Sequence, residues 1–339
     1  MILFVALGVV AAAQSMPPEM RDALVSEFQF SPSDLTRAEA GKAVARIVPT
    51  GKPDDVRMVG VVLVHVSSTD FIRAFRDIEH FEIGKEVRQT GRFSSPPAEA
   101  DFAGSHLPDL NKAELFACRP GNCTYKMPAQ VMEDLRTKID WDGPGANARA
   151  EAMVHHLIIA RLLDYQRRGD PALAVYDDAS APYSVSEGLH SLIGGEARLW
   201  AGFPDLLRYA ESYPKDQPAD TDDFFYWQEA AFGLKHVVRL EHVIIQKVPR
   251  ASEQPHYAII SKMLFASHYF RAAIEFDYVY PVQTDAGQPA VYFVAAQRSY
   301  IDGLTGAKGA IVRRIAENRS PASLAADLDL ARHQLEGKR

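Results

Sequence analysis

The sequence has little cysteine, no basic excess and no apolar run of the ~20 residues that cross a bilayer. Its 339 residues include two cysteines, 37 lysines and arginines, and 44 aspartates and glutamates, giving a formal net charge of −7. A nucleic-acid-binding protein needs a basic surface for the phosphate backbone. We therefore expect no nucleic-acid partner.

Short catalytic motifs are also missing. The sequence contains no Gly-x-Ser-x-Gly elbow, no His-Glu-x-x-His and no glycine-rich phosphate loop. Such motifs supply the nucleophile, the zinc ligands or the nucleotide site in large enzyme classes. The sequence predicts no cofactor, and its 47% hydrophobic and 24% charged residues are typical of a folded globular chain.

Residues 1–15 have the pattern of a secretory signal peptide. An apolar run from Ile2 to Val10 precedes three alanines, a small-residue stretch that suits cleavage. We expect an exported protein, either periplasmic or secreted; peripheral contact with a membrane and the oligomeric state are left open.

The two cysteines lie close together in the sequence. Cys118 and Cys123 are separated by a Pro-Gly turn that lets the chain double back. In an exported protein this arrangement predicts a disulfide that fixes a local hairpin.

The hydropathy period divides the chain into five segments. Residues 1–15 are the signal peptide and residues 16–40 are helical; residues 41–108 hold the first strands and a helix. A helical lobe spans residues 109–233 and includes the Cys118–Cys123 hairpin, and residues 234–339 return to period two before a helical end. Strands on both sides of a helical middle predict an α+β fold with one antiparallel sheet, and a split into separate domains is the alternative.

Local sequence patterns predict four further details of the fold. Residues 222–233 are assigned to a lobe helix, and the end of the chain to two helices, the second capped by Ser320 with Pro321 at its first position. Ser33 or Asp34 is expected to cap an early helix. In residues 268–280, alternate residues from His268 form a buried row, and the opposite row is expected to face solvent.

The order of these elements resembles the START-like, helix-grip superfamily. The resemblance is carried by residues 42–48 and 61–78 at the front, and by residues 256–282 and 290–317 at the back. It implies a curved antiparallel sheet around a long C-terminal helix, with an apolar cavity for lipids, polyketides or other hydrophobic ligands. Some members of the superfamily are cyclases or hydrolases. The large helical lobe in the middle is an addition to that pattern.

Two predicted apolar strand rows each contain a histidine. His242 alternates with Val238, Leu240 and Ile244, and His268 begins the later row. They are interpreted either as core histidines hydrogen-bonded to neighbours or as cavity residues that orient a ligand. The candidate ligand-binding residues are His242, His268, Tyr278, Tyr280, Trp227 and Arg298. Arg298 either lies at a cavity mouth or, as we favour, pairs with Asp302.

Metal binding is the weaker interpretation. The histidines that could contribute to a composite site are His155, His190, His242 and His268. Glu187 and His190 have the i, i+3 spacing of di-iron carboxylate sites, but only one such pair lies in a predicted helix.

These observations favour an exported protein that binds a hydrophobic small molecule or lipid without transforming it. A hydrolase, cyclase or metal-dependent oxidase that uses the cavity histidines is the first alternative, and a structural or interaction module of the cell envelope is the second.

Overall fold

A computed structural model describes residues 16–82, 87–104, 111–195, 202–231, 235–248, 254–304 and 306–337, with the backbone alone for residues 306–320. The predicted signal peptide lies outside these residues. No helix in the described part of the chain is both long and apolar enough to span a membrane.

The centre of the fold is an eight-stranded antiparallel sheet. Its strands are β1 Val44–Ile47, β2 Asp55–Val64, β3 Val87–Arg92, β6 Thr221–Ala231, β7 His236–Val248, β8 His256–Ala266, β9 Phe270–Gln283 and β10 Pro289–Ile301. Their order is β1-β2-β10-β9-β8-β7-β6-β3. A separate two-stranded pair comprises β4 Val175–Tyr176 and β5 Tyr183–Ser184. The predicted α+β class, the β1–β2 hairpin and the β7–β10 meander are confirmed.

Ten α-helices surround the sheet within the described ranges. They are α1 Pro18–Ser26, α2 Pro32–Glu39, α3 Ser68–Arg76, α4 Ile78–Phe81, α5 Lys112–Ala117, α6 Ala129–Thr137, α7 Ala146–Arg168, α8 Val185–Gly194, α9 Pro204–Ser212 and α10 Gly306–Glu336. The cap predicted for α2 is wrong by two residues. Ser31 caps this helix, and Asp34 completes a capping box from the third helical position.

The end of the chain forms one helix rather than two. The backbone of α10 continues through Pro321, where we expected a helix start. An interior proline costs about 3 kcal/mol relative to alanine. Leu324, Leu328 and Leu335 lie on one helical stripe and are buried, so packing of this stripe offsets that cost.

Both faces of the sheet are covered. Helices α1, α2, α7, α8 and α9 contribute to the hydrophobic core on one face, which we call the lobe face. Helices α3, α4 and α10 cover the opposite face, which we call the terminal-helix face. Strands in such a three-layer arrangement bury both rows of side chains.

Within the segment predicted as a lobe helix at residues 222–233, residues 222–231 instead belong to strand β6. Phe224 and Tyr226 belong to the core of the terminal-helix face, whereas Phe225 and Trp227 belong to the core of the lobe face. A strand buried on both faces reads as a continuous apolar run, because neither row needs polar residues. The sheet therefore takes a strand from the segment assigned to the lobe.

Strand β9 differs from expectation for the same reason. Ala272, Ile274, Phe276 and Tyr278 form the predicted buried row. The opposite row is not solvated, since Asp277 is 2% exposed.

Asp277 belongs to a cluster of charged groups on the terminal-helix face, which we call the acidic cluster. Its members are Glu82, Arg239, Glu241, Glu275 and Asp277, four carboxyl groups with one guanidinium. Arg239 Nε donates to Glu241 Oε1 at 2.7 Å, and the Glu275 and Asp277 carboxyl groups hydrogen-bond each other.

The predicted disulfide is present between Cys118 and Cys123. The backbone around and after the disulfide joins the lobe to the sheet, because Lys126 N donates to Ser267 O at 2.9 Å and Cys123 N donates to Asp178 O at 2.9 Å.

Candidate ligand cavity

A cavity of about 90 Å³ lies between the helical lobe and strands β7 and β8. This is several times the ~10–15 Å³ that one water needs, and smaller than the ~150 Å³ cavity known to admit benzene. Its walls are mostly aliphatic and aromatic. The space therefore suits a slender apolar group.

Helices α6 and α7 form one wall. Val131 and Leu135 are four residues apart on α6, and Val154, Leu157 and Ile158 occupy one side of α7. Residues three and four apart share a helix face, so each helix presents an apolar stripe to the cavity.

Strands β7 and β8 form the facing wall. Val238 and Leu240 alternate on β7, and Phe265 projects from β8. The segment after the disulfide closes one side with Tyr125 and Met127.

Few polar side chains reach the cavity. Lys126 is 3% exposed, and its charge is matched, because Nζ lies 2.6 Å from Asp178 Oδ2 and also contacts Asp302. His236 Nδ1 lies 2.8 Å from Glu229 Oε1.

His268 also lines the cavity and lies in the turn before β9. Its ring is buried against Tyr125, with centroids 4.6 Å apart, and Nδ1 lies 3.0 Å from Ser267 Oγ. This candidate from the sequence therefore lies in the cavity wall.

Arg161 is the remaining basic residue of the cavity wall. It follows Leu157 by one helical turn on α7, so it extends the apolar stripe. Its Nη1 atom is buried and has no hydrogen-bond partner. Burial lowers the pKa of the guanidinium.

His242 is buried on the lobe face but does not line this cavity. Its Nδ1 lies 3.0 Å from the Tyr165 hydroxyl, and its ring stacks on Phe225 at 4.4 Å. Nε2 is 3.7 Å from Asp223 Oδ1. Burial is the largest influence on His242 and lowers its pKa, although Asp223 opposes this.

An ion pair lies close to His242, deep between strand β8 and the lobe. Lys262, which is fully buried, donates from Nζ to Asp170 Oδ1 at 2.6 Å and also contacts the carbonyl oxygen of Ala210. Together with His242, this pair forms a polar network inside the core, where all members are shielded from solvent.

The other candidate residues lie at separate places. Tyr278 contacts His256 Nδ1 through its hydroxyl at 2.7 Å. The Tyr280 hydroxyl donates to Glu19 Oε1 at 2.9 Å. Trp227 Nε1 donates to the carbonyl oxygen of Asp101 at 2.8 Å.

The expected partner of Arg298 was wrong. Arg298 binds the Asp55 carboxylate through Nε and Nη2 at 3.0 and 2.8 Å, while Nη1 donates to Gly195 O at 2.9 Å. Asp302 instead pairs with Lys126 and Arg271. Strand β2 lies beside β10, with Arg57 opposite Arg298, so Asp55 was available across the strands.

The four histidines considered as metal ligands are dispersed. His155 stacks on Phe102 at 4.1 Å, and His190 Nδ1 donates to Ser186 O at 2.8 Å, while His242 and His268 have the contacts given above. Among the residues that the structure describes, no group of three or more His, Cys, Asp or Glu side chains is arranged to hold a metal ion.

Sequence reasoning missed Arg161, Tyr125 and His236. A signal for Arg161 was present, because a basic residue continues an aliphatic stripe four residues after Leu157. Nothing comparable marked Tyr125, which reaches the cavity only because the disulfide segment packs against the turn before β9.

Fold and cavity together define an α+β protein with a large antiparallel sheet and a small apolar cavity under a helical lobe. The chain matches no protein-family model. A search of curated proteins found no match either.

Proposed function

We propose that this protein binds a hydrophobic small molecule, or the chain of a lipid, in the cavity between the lobe and strands β7 and β8. The observation that carries the proposal is the cavity itself, a largely apolar space with few polar groups converging on it. Small-molecule sites generally have this character. Burial of apolar ligand surface would drive binding, at about 25 cal/mol per Å².

Binding without chemistry fits the surroundings of the two histidines better than catalysis does. His242 is completely buried within the core network, so a substrate has no access to its ring. His268 borders the cavity beside a serine hydroxyl, where it would orient a polar ligand atom.

The same proposal includes a helix-grip arrangement of the sheet around α10 and export of the protein. Packing of Leu324 and Leu328 against Gly60 of β2 supports a sheet that curves around α10, as in helix-grip proteins. The cavity on the lobe face is then an addition to that pattern. The disulfide supports an exported protein, since such bonds persist in oxidising compartments.

Two measurements test the proposal. Organic extraction of the purified full chain followed by mass spectrometry should reveal a hydrophobic compound, and calorimetric titration with decanol should show saturable binding. Val154→Phe places a ring into the cavity and should weaken decanol binding at least tenfold.

Val175→Phe is the matched control, because Val175 is 46% exposed and lies outside the cavity wall. Equal decanol affinity in both variants and the unmodified protein would reject this cavity as the binding site.

A further inference from the structure

Arg161 differs from three other arginines of the fold in its charge partner. Arg298 has Asp55, Arg239 has Glu241 and Arg46 has Asp34, each within ion-pair distance. No carboxylate forms such a pair with Arg161 in the part of the chain that the structure describes. Asp164, the nearest acid along α7, is held by Arg168 and Arg167.

The location of the Arg161 Nη1 atom is costly without a ligand. A buried donor that lacks an acceptor costs about 1–3 kcal/mol, and more when the group is charged. Here the Nη1 atom is buried at the wall of an apolar cavity. Lys126, the other cation of the wall, already has two carboxylates.

We infer that the ligand is an unbranched acyl-chain monocarboxylate, whose carboxylate pairs with Arg161 while the chain carbons nearest to it occupy the cavity. This inference rests on the proposed function. A guanidinium offers parallel N–H groups that match a carboxylate geometrically.

Charge and size both favour this class of ligand. One unmatched positive charge is neutralised by one negative charge, whereas a phosphate monoester would bring a second negative charge into an apolar wall. The volume of about 90 Å³ accommodates a narrow chain better than a ring system.

The test titrates the protein with three probes that have the same number of carbons and measures each affinity by calorimetry. The probes are decanoate, decanol and decylammonium. Decanoate should bind the unmodified protein at least tenfold more tightly than decanol, and decylammonium should bind most weakly. In Arg161→Met, which keeps an unbranched apolar stem, decanoate should lose this advantage over decanol.

Arg167→Met is the matched control, because Arg167 is on the same helix and its side chain is 71% exposed. It should leave all three affinities within about twofold. The apo form of Arg161→Met should also melt at a higher temperature than the unmodified protein, since an unmatched charge is removed from a largely apolar site.

The outcomes separate the two proposals. Equal binding of decanoate and decanol by the unmodified protein, or an Arg161→Met variant that still prefers decanoate, would overturn the carboxylate inference and leave apolar binding intact. Failure of all three probes to bind would overturn both.

Discussion

Raising the pH should destabilise this protein through the acidic cluster on the terminal-helix face. Glu241 is 1% exposed, and burial, opposed by Arg239, raises its pKa to about 7. Burial and the Glu275 carboxylate raise the pKa of Glu82 to about 8. For Asp277, burial and then Glu275 raise the pKa well above its ordinary value. The one guanidinium of the cluster cannot compensate four ionised carboxylates.

The sign of the effect follows from where the protons bind. The folded state holds its proton on Glu241 more tightly than the unfolded state does, whose pKa is near 4.5. This contribution to the unfolding free energy is complete below pH 4.5 and is lost as the pH rises to about 7; Glu82 extends the loss to about pH 8. At about 1.4 kcal/mol per pH unit, Glu241 accounts for about 3 kcal/mol.

Urea unfolding of the unmodified protein and Glu241→Gln at pH 5, 6, 7 and 8 isolates this contribution. Glutamine resembles the protonated acid, so the variant should gain stability relative to the unmodified protein by about 3 kcal/mol between pH 5 and pH 8. Comparing the two proteins at each pH removes contributions from other groups. These include His242, whose lowered pKa makes stability rise with pH up to about 6.5.

Glu187→Gln serves as the control, because Glu187 is exposed at the start of α8. Its stability difference from the unmodified protein should not change with pH. The reasoning would be refuted if the stability difference between Glu241→Gln and the unmodified protein were also independent of pH. That result would mean that Glu241 is ionised in the folded state throughout this range.

Three further changes test the core of the lobe face by urea unfolding. Lys262→Met should cost about 3–5 kcal/mol of stability, because it leaves the Asp170 carboxylate buried without its cation. Adding Asp170→Leu should recover most of this loss, and no recovery would contradict the ion-pair argument. His242→Leu should cost about 1–3 kcal/mol of stability, because it leaves the Tyr165 hydroxyl without its partner. Its decanol affinity should be unchanged, and weakened decanol binding would instead connect His242 to the ligand site. Gly169→Ala should cost at least about 3 kcal/mol of stability for two reasons. Gly169 has φ +69° and ψ −150°, and a Cβ there would lie 1.8 Å from the carbonyl oxygen of Tyr213. A variant as stable as the unmodified protein would exclude this close approach.

The elements with a regular hydropathy period or a clear turn were predictable from the sequence. The β1–β2 hairpin, helix α3 behind its Ser67 cap and the β7–β10 meander all have the expected period. Strand β6 was not predictable in this way, because Phe224 to Trp227 are apolar on both faces and a continuous apolar run does not distinguish a strand from a helix. Its assignment depends on tertiary pairing with β3 and β7.

The candidate site was only partly predictable, and for a different reason. Alternation within β7 correctly placed His242 on a buried face. It could not show whether that side chain meets other core residues or an empty space, because this depends on how closely the lobe helices pack above each strand position. Tyr165 fills the space over His242, whereas the space over Leu240 remains open. Arg161 and His268 come together only through that packing.

Strand β7 connects the two unusual charge distributions of this protein. Its alternate residues Val238 and Leu240 line the cavity, while Arg239 and Glu241 point to the opposite face and belong to the acidic cluster. The cavity with Arg161 in its wall therefore lies on one side of β7, and the acidic cluster lies on the other side. A ligand carboxylate at Arg161 and a proton in the acidic cluster each reduce an imbalance of buried charge beside this strand. Any free-energy coupling between them must be reciprocal, and β7 is the element that both would act on.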